Sequence, residues 1–146
     1  MKIAIGADPN AAELKSTIIS HVLALGHEVQ DLGSEDPLYA HVAASVAQTV
    51  ASGSADRGIV ICGTGIGVSI AANKIPGAFC ALITDTYQAR RAQLSNNANV
   101  IALGAQVTGI ELAKELVTTY LSEEYAESNR SREKVKALRG LEFAAR

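Results

Sequence analysis

The residues best suited to chemistry lie together at Ile59–Ser69, where the chain reads Ile-Val-Ile-Cys-Gly-Thr-Gly-Ile-Gly-Val-Ser. A thiol, Cys62, ends a short apolar run. Gly63, Gly65 and Gly67 follow it at alternate positions. Glycine lets the backbone approach a ligand closely and take positive φ. Free N–H groups in such a turn, at the start of a helix, stabilise negative charge. The same field favours a thiolate over a thiol. One device would then both activate Cys62 and hold an oxyanion. A lone Cys after a strand is also ordinary buried core, and the glycine-rich turn directly behind Cys62 is what sets it apart. Three other motifs fit poorly. A dinucleotide site needs G-x-G-x-x-G after the first strand, and here G-x-G-x-G follows the third. A P-loop needs Gly-Lys-Ser/Thr, which is missing. A cysteine phosphatase loop needs an Arg after five intervening residues, and Val68 stands there.

These residues need a frame to hold them. Short apolar runs predict strands at 2–7, 28–32, 58–62, 79–84 and 99–103. Helical spacing or composition predicts helices at 11–25, 39–51, 68–74, 86–96, 109–122 and 131–145. Alternating strands and helices imply βαβ units, a parallel sheet and helices on both faces. The expected fold is a three-layer α/β/α, Rossmann-like domain over residues 1–146. Its five-stranded parallel sheet is expected in the order 2-1-3-4-5. Ligands of such sheets bind at the carboxyl ends of the strands, where the order reverses. That crevice lies between strands one and three, next to Asp8-Pro9-Asn10 and Cys62-Gly63-Thr64.

Composition removes several function classes. The 146 residues are 48% apolar and 19% charged, which excludes a disordered chain and leaves room for one ordinary core. The net charge of −2 gives no support to a nucleic-acid or polybasic membrane binder. With 4% aromatics and no Trp, a stacking platform for single strands is not expected. Two cysteines cannot build a disulfide scaffold, so a reduced, cytoplasmic protein is expected. No apolar run is long enough to span a membrane, and Met1–Gly6 does not read as a leader.

Asp8, the Cys62–Gly67 turn (CGTGIG), Ala71-Ala72-Asn73-Lys74 and the run NNANVIALG from Asn96 to Gly104 together resemble the type B ribose-5-phosphate isomerases. That family includes the galactose-6-phosphate isomerase subunits, and the resemblance runs from Lys2 to about Leu138. It implies aldose–ketose isomerisation of a phosphorylated sugar, with no metal or organic cofactor. It implies that Cys62 moves a proton between C1 and C2 and that Thr64 assists near the reacting oxygens. Amides from Gly63 to Ser69, with Gly65 and Gly67 among them, would hold the enediolate oxygen. Asp8 would bind substrate hydroxyls, with Asn10 beside it, while Asn96 would meet the carbonyl end and Tyr39 would line the site. Arg130, Lys134 and Arg90 would carry the phosphate. The resemblance also implies a homodimer or homotetramer, with the site at a subunit interface and the C-terminal helix reaching the neighbour. The chemistry is consistent with this, because taking a proton next to a carbonyl needs a positioned base and preorganised donors.

The departures from the family bear on the substrate. Members acting on ring-forming sugars carry His before the Asn that matches Asn96, and here Ser95 stands there. Pro9 replaces a second family His, and Gln106 stands where an Arg follows strand five. His21 and His27 fall on the first helix and its exit, while His41 lies two residues after Tyr39. Serine cannot act as a general acid–base near neutral pH as imidazole does. A tetrose 4-phosphate has no free 4-oxygen with which to close a furanose, so it needs no ring opening. Leu94–Ala98 (LSNNA) and Leu38-Tyr39-Ala40 also resemble the branch of the family that handles tetrulose phosphates. The expected reaction is therefore D-erythrulose 4-phosphate to D-erythrose 4-phosphate. One alternative is ribose-5-phosphate isomerisation, with His41 or water as the acid. Another is a non-catalytic sugar-phosphate-binding subunit, against which Cys62 and Thr64 argue.

Overall fold

The strands that carry the glycine turn are those with the most uniform apolar runs, and they lie deepest. In the computed structural model, which describes residues 1–128 and 130–144, the strands are β1 (Lys2–Ala7), β2 (Glu28–Asp31), β3 (Arg57–Cys62), β4 (Cys80–Leu82) and β5 (Val100–Gly104). The helices are α1 (Ala12–Ala24), α2 (Tyr39–Ala51), α3 (Ile66–Ala72), α4 (Thr86–Leu94), α5 (Ile110–Ser122) and α6 (Arg132–Ala144), with a 3₁₀ turn at Pro9–Ala11 before α1. Every residue of β3 and β5 is buried, as a strand covered on both faces requires. No helix among the described residues is long and apolar enough to cross a membrane.

All pairings in the sheet are parallel, and the order is β2-β1-β3-β5-β4. The α/β class and the reversal between β1 and β3 are as the sequence predicts. The expected order 2-1-3-4-5 is corrected: β5 lies against β3, and β4 is the edge. The cause is burial. β4 is a three-residue strand whose Leu82 is exposed, whereas Val-Ile-Ala-Leu-Gly in β5 is wholly buried.

The two faces of the sheet differ in size. Ile3, Ile5, Ile59, Ile61, Ile101 and Leu103 meet α1 and α5 on one face. Ala4, Val60 and Ala102 meet the small residues Ala43 and Ala47 of α2 on the other. That second face admits a close helix. A Cβ on Gly6 would come within 2.5 Å of Val42, so glycine is required there. α6 lies at the amino edge of the sheet, where the Arg139 guanidinium sits 5.9 Å from the Phe79 ring and Glu142 accepts a hydrogen bond from the Gly77 N–H. His21 and His27 are half-buried, and His21 Nε2 lies 2.7 Å from the Thr118 hydroxyl.

Candidate active site

At the carboxyl edge, β1 and β3 deliver Asp8 and Cys62 side by side. Ala7 pairs with Ile61, and the Asp8 N–H donates to the Ile61 carbonyl at 3.1 Å. Asp8 is buried, and one carboxylate oxygen accepts from the Ala11 N–H at 3.2 Å, capping the 3₁₀ turn that carries exposed Asn10. Cys62 is 5% exposed, and its Sγ accepts from the Gly65 N–H at 3.2 Å. Gly65 takes φ 78° just before α3, with its missing Cβ 2.6 Å from Leu82. Only glycine meets both demands. The amides of the first turn of α3 have no acceptor inside the helix. Thr64 is exposed, and its hydroxyl accepts from the Ile66 N–H at 3.3 Å. The Tyr39 ring, at the first residue of α2, lies against Gly67, where a Cβ would be 2.5 Å from the ring. Asp8, Asn10, Tyr39, Cys62, Gly63, Thr64, Gly65 and Gly67 therefore share one edge.

The remaining predicted residues lie elsewhere. Ser69 turns its hydroxyl to the thiol of Cys80, the first residue of β4; burial pushes that thiol up to about 12 against this smaller pull. α4 runs from the carboxyl end of β4 back to the amino end of β5, which puts Asn96 at the opposite edge. β3 has six residues, so the two edges are about 17 Å apart. Arg90 is also on α4, where its Nε donates to Glu123 at 3.2 Å. Arg130 and Lys134 are exposed, before and on α6, beyond the amino edge. Beside Asn96, the Ser95 hydroxyl accepts from Arg91 Nε at 2.6 Å. One chain thus carries the residues expected as base and hydroxyl ligands at one edge and those expected to meet the carbonyl and phosphate at the other. Among the described residues, no three metal-ligating side chains converge.

The sequence matches the family described as Ribose/Galactose Isomerase over residues 3–138. The chain belongs to the ribose/galactose isomerase family. It is 47% identical over 129 residues to a D-erythrulose-4-phosphate isomerase of Pectobacterium atrosepticum, covering 86% of this chain and 85% of that one. It is 42% identical over 144 residues to ribose-5-phosphate isomerase B of Escherichia coli, covering 97% and 96%. The ribose-5-phosphate isomerase B structure of Clostridium thermocellum superposes with a TM-score of 0.94 at 41% identity, covering 100% of both chains. As a member of the ribose/galactose isomerase family, the protein is an aldose–ketose isomerase.

Gln106 and His41, both weighed in the sequence, take different places. Gln106 follows β5, and its side-chain amide lies where a Cβ on Gly63 would be 3.1 Å away, while its N–H donates to the Gly63 carbonyl at 2.9 Å. It borders the site only because β5, not β4, adjoins β3. His41 Nδ1 donates to the Asp36 carboxylate at 2.9 Å. Both line a small hollow beside β2, together with Ala7, Leu32, Gly33 and Ser45, none of them in the glycine turn.

Proposed function

We propose that this isomerase interconverts D-erythrulose 4-phosphate and D-erythrose 4-phosphate. The observation that carries the isomerase chemistry is Cys62 Sγ held under the Gly65 N–H beside the Asp8 carboxylate. From the ketose, the Cys62 thiolate takes a proton from C1, and the electron pair moves through C1–C2 onto the carbonyl oxygen. Amides of the glycine turn stabilise the enediolate oxygen. The thiol returns the proton to C2, while Thr64 and Asp8 relay the hydroxyl proton from O1 to O2. One base on one face of the planar enediolate serves both carbons.

The four-carbon substrate is supported by Ser95. Its hydroxyl is engaged by Arg91, and it offers no imidazole to open a furanose ring. His41 faces the hollow beside β2 and is tied to Asp36, so it is a poor substitute. The separation of Asn96, Arg130 and Lys134 from Cys62 supports a homodimer in which one subunit's amino edge completes its partner's site.

The test is a panel of aldose and ketose phosphates of four to six carbons, followed by NMR in D₂O. The expected result is fastest turnover of D-erythrulose 4-phosphate, with deuterium entering at the reacting carbon. Faster turnover of ribose 5-phosphate, the reading favoured by the Escherichia coli relative, would replace the tetrose substrate. No exchange into any sugar phosphate would remove the isomerase reading.

A further inference from the structure

Tyr39 stands at the start of a helix that has no cap of its own. Leu38 occupies the N-cap position of α2 and has no side-chain hydrogen bond to offer. The chain from Glu35 to Ala40 is exposed throughout, and the hollow beside β2 opens next to it. Apolar packing within the chain therefore does not fix the approach to Tyr39. Polar contacts take its place, and they converge on one side chain.

Asp36 uses both carboxylate oxygens. Oδ1 accepts from the Leu38 N–H at 2.8 Å, an Asx turn across Pro37. Oδ2 accepts from His41 Nδ1 at 2.9 Å. The His41 N–H donates in turn to the Leu38 carbonyl at 2.9 Å. Residues on both sides of Tyr39 are thus tied to one carboxylate. The Leu38 amide and His41 hold that carboxyl below the usual carboxylate range.

We infer that Asp36 is a positioning residue, which with His41 latches the 33–38 loop onto the first turn of α2 and so sets the Tyr39 ring against Gly67. The inference rests on the proposal that Tyr39 lines the substrate site. It goes further in naming what holds Tyr39 there. Losing the latch frees the ring without touching Cys62, so substrate binding suffers and proton transfer does not.

The test is a double-mutant cycle on the intact enzyme with D-erythrulose 4-phosphate. Asp36→Ala is expected to raise KM by about tenfold, the worth of one hydrogen bond to a charged group, with kcat within about twofold. Asp36→Asn, which keeps the acceptor for the Leu38 N–H, is expected to recover most of the loss. In a Tyr39→Ala background, Asp36→Ala should add nothing. An equal rise in KM in both backgrounds, or a fall in kcat alone, overturns the latch. A second readout needs no substrate: the NMR contact between the Tyr39 ring and Gly67 should vanish in Asp36→Ala. If that contact persists, the latch is wrong even if the enzyme acts on tetroses. If it vanishes and no sugar phosphate reacts, the substrate proposal alone fails.

Discussion

A base that carries a proton between neighbouring carbons needs a fixed position and a donor for its charge. For Cys62, the proposed base, the Gly65 N–H would supply both, through a bond made possible by the left-handed turn at Gly65. Chemistry and packing can be separated at this atom. In Cys62→Ser the hydroxyl still fits the buried site and still accepts from Gly65, but it is a far weaker base. The expected outcome is a fall in kcat of about 10³-fold, read by deuterium exchange into D-erythrulose 4-phosphate. Binding of 3-phospho-D-glycerate, whose carboxylate stands in for the two enediolate oxygens of a four-carbon substrate, should stay within about threefold of the parent, because the amides and Asp8 remain. A Cys62→Ser variant that still exchanges deuterium at the parent rate would move the base elsewhere. That Asp8, Cys62 and Thr64 share one edge was legible in the sequence, because each follows the end of an apolar strand, and a parallel sheet puts such ends together.

Element order was less legible, and its one error had a local consequence. The 79–84 and 99–103 runs are both apolar, so the sequential order 3-4-5 was the simpler reading. Only the uniform burial of β5, against a β4 shortened to Cys80–Leu82, shows which is central. With β5 placed at the edge, Gln106 falls far from Gly63. With β5 beside β3, it borders the turn. The Asp36 latch was invisible for another reason: it depends on loop geometry that no periodicity encodes. The amino edge has its own fastening. Arg57, the first residue of β3, donates to the carbonyls of Tyr120 and Glu123 at 2.6 Å each and lies 5.0 Å from the Tyr120 ring. It satisfies carbonyls at the end of α5 that the helix itself leaves open. Arg57→Leu removes both donors from a buried place, with an expected cost of about 2–3 kcal/mol in urea unfolding. A loss below about 0.5 kcal/mol would mean that water replaces the guanidinium.

For the whole molecule, the separation of ligands decides what kind of assembly can work. Asn96 and Cys62 lie at opposite edges of one sheet, so if both serve one site, as proposed, that site takes Cys62 from one subunit and Asn96 from the other. A two-fold dimer makes two such sites, each crossing the interface. This arrangement has a consequence that a self-contained subunit cannot mimic. A homodimer of Cys62→Ala lacks the base in both sites, and one of Asn96→Ala lacks the carbonyl ligand in both. In a mixed dimer, the Asn96→Ala chain supplies Cys62 and the Cys62→Ala chain supplies Asn96, so one site is whole and the other has lost both groups. If the two inactive variants are unfolded together and refolded as an equal mixture, random pairing makes half of the dimers mixed, and about a quarter of all sites are intact. The expected result is recovery of about a quarter of the parent kcat per subunit, with KM unchanged, and no recovery when the variants are refolded apart. Activity in the mixture no greater than the mean of the separate variants would mean that each site is built within one chain. Asn96 would then have no place in the chemistry, because no rearrangement short of unfolding β5 could carry it across the sheet.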